Sequence, residues 1–68
     1  MSAKVYKKIE VVGTSENSFS EATRNAVAKA GETVRNVNWF EVIEQRGAVH
    51  DGAIKEYQVT VRIGFRLE

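Results

Sequence analysis

Tyr57-Gln58-Val59-Thr60-Val61-Arg62-Ile63-Gly64-Phe65-Arg66-Leu67-Glu68 alternates without a break between apolar odd positions and polar or small even ones. Period two over twelve residues is a strand with one buried and one open face. Just before it, Asp51-Gly52 is a two-residue hairpin signal. The residues before the turn, Trp39 to Arg46, then read as the strand folding back on this one.

Toward the N-terminus, Val5-Tyr6-Lys7-Lys8-Ile9-Glu10-Val11-Val12 reads as a first strand with Val5, Ile9 and Val11 inward. Gly13 to Asn17 is expected to be a polar turn. Ser18-Phe19-Ser20-Glu21 fits a capping box, with the Ser18 hydroxyl accepting near Glu21 and the Glu21 carboxylate reaching back. A helix follows, its apolar side formed by Phe19, Ala22, Ala26, Val27, Ala30 and Val34. It ends either by fraying at Gly31 or near Arg35.

The sequence therefore predicts a single α+β domain over residues 1–68, β-α-β-β in order, with the long third strand central and antiparallel to the other two. The helix is expected on the odd-numbered face of that strand. If Asp51 and Gly52 form the turn, His50 opposes Ala53, Glu41 opposes Arg62, Phe40 opposes Ile63 and Val42 opposes Val61. Phe40 and Val42 then face the helix. Trp39, Glu41, Ile43 and Gln45 share the open face with Gln58, Thr60, Arg62 and Gly64. On this register Trp39 faces Gly64, which leaves room for something flat beside the indole, and Gln58 faces Gln45. Six positions separate Gln58 from the Trp39 row, roughly 20 Å at ~3.3 Å per residue.

A domain of 7.6 kDa buries only about 60% of the surface of its unfolded chain. Cysteine is absent and His50 stands alone, so neither disulfides nor a Cys/His metal site reinforces it. Oligomerisation is the remaining route, and both outer strands offer open edges for it. Ten Lys+Arg against nine Asp+Glu leave a net charge of +1, without the basic excess of a nucleic-acid binder. No leader-like or membrane-spanning stretch is apparent, so a cytoplasmic location and no membrane partner are expected. No pair of carboxylates and no nucleophile with a base suggests an enzyme.

The segments Val5-Tyr6-Lys7-Lys8, Val12-Gly13-Thr14-Ser15, Asn38-Trp39-Phe40-Glu41-Val42, Arg46-Gly47, Tyr57-Gln58-Val59-Thr60-Val61 and Gly64-Phe65-Arg66-Leu67-Glu68 together resemble the dodecins. That resemblance implies a β-α-β-β chain assembling into a hollow homododecamer that stacks flavins in pairs between tryptophans of neighbouring subunits. It implies that Trp39 stacks on the isoalloxazine ring and that Gln58 hydrogen-bonds its polar edge. Arg46 and Arg66 match arginines that approach a phosphate, which favours FMN over riboflavin. Storage and photoprotection of the flavin, without turnover, is the implied function. The alternative is a structural oligomer, or a carrier of coenzyme A or a nucleotide, in which Trp39 only packs between subunits.

Overall fold

A computed structural model describes residues 3–68; Met1 and Ser2, the start of the stretch read for a leader, lie outside them. Its elements are β1 (Tyr6–Ser15), α1 (Phe19–Thr33), β2 (Val37–His50) and β3 (Ala53–Arg66). They form one antiparallel sheet in the order β1-β3-β2, so the alternating strand is central as expected. Asp51 and Gly52 both take positive φ, 51° and 75°, as a type I′ turn requires.

The first strand runs farther than its composition suggests. Gly13, Thr14 and Ser15 pair with Val59, Gln58 and Tyr57, so the expected turn shrinks to a bend at Glu16 and Asn17. Gly13 allows this extension. A Cβ there would collide with the Ala22 carbonyl oxygen and stand 2.7 Å from the Ala26 methyl, so a bare backbone is what lets α1 lie against β1. Val5 precedes β1 and is exposed, contrary to the inward place expected for it.

The helix start departs from a reciprocal capping box. Glu21 N–H donates to Ser18 Oγ at 3.0 Å, but the Glu21 carboxylate turns instead to Ser15 Oγ at 2.5 Å and Asn17 Nδ2 at 2.8 Å. Ser15, which is buried, in turn accepts from the backbone N–H of Asn17 and Ser18. These bonds, Ser15 first and Asn17 second, hold the Glu21 carboxyl below the usual carboxylate range, with Arg24 adding to the effect and partial desolvation opposing it. A lowered carboxyl stabilises the fold above its unfolded value and loses that contribution as pH falls through its folded value. Acid titration of melting temperature is therefore expected to show a low-pH loss of stability that is smaller in Glu21→Gln.

The helix passes Gly31 without fraying and ends at Thr33, capped by Val34 N–H donating to Ala30 carbonyl at 2.9 Å. Ala22, Ala26 and Ala30 meet Val59, Val61 and Ile63, and among the described residues these six are the buried core. Each fully buried Val or Ile contributes about 1.5–3 kcal/mol; the alanines contribute close approach more than area. At the helix start Phe19 meets Tyr57 edge-on, with ring centroids 4.9 Å apart.

The helix covers β1 and β3 and leaves β2 largely bare. Phe40 and Val42 face the helix side as expected, yet remain 49% and 44% exposed. They line a groove of about 660 Å³ with Phe19, Val27 and Gln45. Farther out, the β2-β3 hairpin projects beyond the helix with Val49 and Ile54 exposed. The radius of gyration is 14.3 Å, against about 11 Å for a compact chain of this length. So small a core beneath so long a hairpin leaves many apolar residues without cover.

Candidate functional site

The hairpin register holds from Trp39 to Val42 and again at the turn. Trp39 pairs with Gly64, Phe40 with Ile63, Glu41 with Arg62, Val42 with Val61 and His50 with Ala53. Between them it shifts by one. A bulge between Val42 and Glu44 leaves Ile43 without a partner, and a second irregularity between Ala48 and Val49 restores the count. A bulge reverses face parity along the strand. Gln58 therefore opposes Arg46, and Gln45 turns toward the helix side to line the Phe40 groove. The expected pairing of Gln58 with Gln45, and the place of Gln45 on the open face, are corrected by this bulge.

The consequence is a polar cluster. Arg46 Nε donates to Gln58 Oε1 at 2.7 Å, and Gln58 Nε2 donates to Glu56 Oε1 at 2.9 Å. Arg46 is exposed and Gln58 half-buried. An amide with a carbonyl oxygen and an NH2 group offers both an acceptor and donors to a ligand edge, and the guanidinium adds a fixed charge beside it.

Trp39 lies at the other end of β3, half-buried on the face that α1 does not cover. The space over Gly64 is filled by the indole itself. A Cβ at Gly64 would run into the six-membered part of the ring, with Trp39 Cδ2 only 2.6 Å away. The flat gap expected beside Trp39 is thus its own seat, and only the outward ring face is available for stacking. Tyr6 of β1 flanks the indole at 5.2 Å between centroids and an interplanar angle of 66°, an arrangement worth roughly 0.5–1.5 kcal/mol beyond burial.

Arg66 follows Gly64 by two residues and is exposed, so it stands on the same open face near Trp39 and pairs in register with Tyr6. It lines a hollow of about 590 Å³ with Lys4, Asn36, Asn38 and Glu68. One chain therefore places Trp39 and Arg66 at the same end of the open face, and bonds Gln58 to Arg46 at the other. It does not bring the two pairs together, since six strand positions still separate Gly64 from Gln58.

The charges between the pairs are not partnered by register. Glu41 and Arg62 face each other in register, but Lys8 Nζ takes Glu41 at 3.0 Å while Arg62 Nε takes Glu10 at 3.2 Å. Trp39 Nε1 also donates to Glu41, at 2.9 Å. Sequence reasoning missed Tyr6 and Lys8 as neighbours of the indole, although the even parity of Tyr6, Lys8, Gly64 and Arg66 carried the signal. Among the described residues no cluster of three or more His, Cys, Asp or Glu is placed to hold a metal ion, and no helix is long and apolar enough to cross a membrane.

The molecule is thus a two-layer β-α-β-β domain, one helix on one sheet, that seats its tryptophan on the uncovered face of the sheet. A family model described as Dodecin matches residues 5–68. The dodecin of Thermus thermophilus is 52% identical over 65 residues, covering 96% of this chain and 94% of its own. The calcium dodecin of Mycobacterium tuberculosis is 33% identical over 63 residues, covering 93% and 89%. Among solved structures, the dodecin of Streptomyces coelicolor matches with a TM-score of 0.94 at 47% identity, over 100% of this chain and 97% of that one. The chain belongs to the dodecin family.

Proposed function

We propose that this protein binds flavin and stores it, shielding it from light and from side reactions, with FMN the ligand and no turnover of it. The observation that carries this reading is the pose of Trp39: its inner face is pressed on Gly64, Tyr6 stands at its side, and its outer face is left for a flat ring. Stacking against a fixed indole needs no reordering of the ring on binding, which lowers the entropy cost. Gln58 would hydrogen-bond the polar edge of the isoalloxazine, and Arg46 and Arg66 would hold the phosphate. When bound, the flavin supplies the redox-active, light-absorbing group, and the indole beside it offers a donor that can quench its excited state.

A site that draws on both Trp39 and Gln58 needs more than one chain, because their rows lie ~20 Å apart at ~3.3 Å per residue. Self-assembly into a hollow homododecamer meets that need. Family membership supports it, as do the uncovered Phe40 groove and the exposed apolar hairpin. Coenzyme A or a nucleotide is the competing ligand, favoured by Lys4 and Arg66 in one hollow. Glu68 in the same hollow opposes an anion.

Protein purified without added flavin, examined by absorption spectrum and by mass of the released ligand, separates these readings. Flavin bands with the mass of FMN are expected. The mass of riboflavin would correct the ligand but keep the stacking. A coenzyme A or nucleotide mass without flavin, in a protein that FMN then fails to load, would overturn the proposal.

A further inference from the structure

Glu41 makes a contact that flavin stacking alone does not require. Its Oε2 accepts from Trp39 Nε1–H at 2.9 Å and from Lys8 Nζ at 3.0 Å. One carboxylate oxygen thereby ties the indole of β2 to the ammonium of β1, across the central strand. Trp39 and Glu41 lie two apart on one strand and share a face, so the reach is short.

Gly64 and Tyr6 define the plane in which the indole rests. They do not define which edge of it points along the sheet. The outer torsion of a tryptophan is broad and roughly two-fold, so a ring turned over could still lie on a bare backbone. The indole N–H is a donor with no acceptor capacity, and among the described side chains Glu41 is its partner. A bond to an ionised acceptor is roughly twice as strong as one between neutral groups, and it is available in only one of the two ring orientations.

We propose that Glu41 is the positioning residue of Trp39: its carboxylate clamps the indole in a single orientation over Gly64, and releases it when protonated. The consequence for the ligand rests on the flavin reading above; the clamp itself does not. Lys8 and Glu10 face this region from β1, Arg62 from β3, and Glu44 lies farther along β2, while α1 is on the opposite side of the sheet. Glu10 occupies Arg62 Nε at 3.2 Å, which leaves Lys8 as the cation bonded to Glu41.

The indole N–H first, then the Lys8 bond, hold the Glu41 carboxyl below the usual carboxylate range; partial desolvation opposes them, and the charges of Lys8 and Arg62 add to them. For a lowered carboxyl the favourable contact is complete above the ordinary carboxylate range and is lost as pH falls through the lowered value. The clamp is closed at neutral pH and opens only in acid.

Trp39 is the single tryptophan, so its emission and anisotropy report the clamp without any ligand. These would be followed from neutral to acid pH in native protein, Glu41→Gln and Glu41→Ala, with the assembly state checked by sizing at each pH. Native protein is expected to show an acid step below the usual carboxylate range. Glu41→Gln keeps an oxygen that accepts from the indole but no longer titrates, so it should retain the neutral-pH emission and lose the step. Glu41→Ala should show at neutral pH the emission that native protein reaches only in acid, and bind FMN roughly 10-fold or more weakly, as expected for loss of a hydrogen bond to a charged group.

An acid step that persists in Glu41→Gln, or a Glu41→Ala emission identical to native at neutral pH, would overturn the proposal. Failure of the native protein to bind FMN would count against the flavin reading alone, because the ligand-free profile still decides the clamp.

Discussion

Trp39→Ala is expected to weaken FMN binding by about 2–4 kcal/mol, roughly 30- to 1000-fold in Kd, while the protein still elutes as the native assembly. The two halves of that result follow from where the indole sits. Its inner face touches Gly64 and its edge meets Tyr6, but it belongs to none of the six core residues. Truncation therefore removes the stacking platform and leaves the alanine-lined helix packed on Val59, Val61 and Ile63. If Trp39 served only to pack subunits together, the same variant would instead lose its assembly. Equilibrium binding of FMN, with a sizing column run alongside, distinguishes the two.

The opposite pattern is expected of Phe40→Glu. Phe40 is next to Trp39 in sequence but on the other face, 49% exposed over the groove that α1 leaves uncovered. In a single chain the introduced carboxylate would remain in water at little cost. In an assembly that covers this groove it would be a buried, unpaired charge, which costs several kcal/mol. The variant should elute far smaller than native protein, melt earlier because so small a core gains most from its partners, and lose FMN binding although Trp39 is intact. A Phe40→Glu protein that elutes with the native assembly would show that other surfaces hold the chains together.

The fold was legible because its decisive signals are local. Alternation from Tyr57 to Leu67, the Asp51-Gly52 turn and the Ser18 cap are signals of this kind, and the structure follows them, save that the Glu21 carboxylate turns to Ser15 and does not close the capping box. Two features depend on contacts that a single segment does not reveal. Thr14 and Ser15 look like turn residues, yet they extend β1 because Gly13 admits the helix at close range and Ser15 anchors its first turn. The bulge at Ile43 is equally silent in composition, since nothing about Val42-Ile43-Glu44 marks an unpaired residue.

That bulge matters most for the site. Uniform pairing would have put Gln45 opposite Gln58 and sent Arg46 to the helix side. The bulge instead places Arg46 against Gln58, making a cluster out of two residues that only their family resemblance had connected. Parity did place Trp39 on the open face beside Gly64. What it did not reveal is that the indole lies down on the glycine, which converts an apparent vacancy into a seat. The ion pairs were illegible for a related reason: Glu41 faces Arg62 in register, but Arg62 turns to Glu10 and Lys8 reaches Glu41 from the far strand.

In the proposed site Trp39 offers its outer face to a flavin, and another chain completes the contacts. Titrating the assembled, ligand-free protein into FMN and following flavin emission tests it most directly. Emission should fall to near zero and reach a sharp end point at a fixed ratio of flavin to subunits, as the bound ring stacks on the indole. FMN emission that stays unchanged through an excess of folded, assembled protein would rule out stacking of flavin on Trp39.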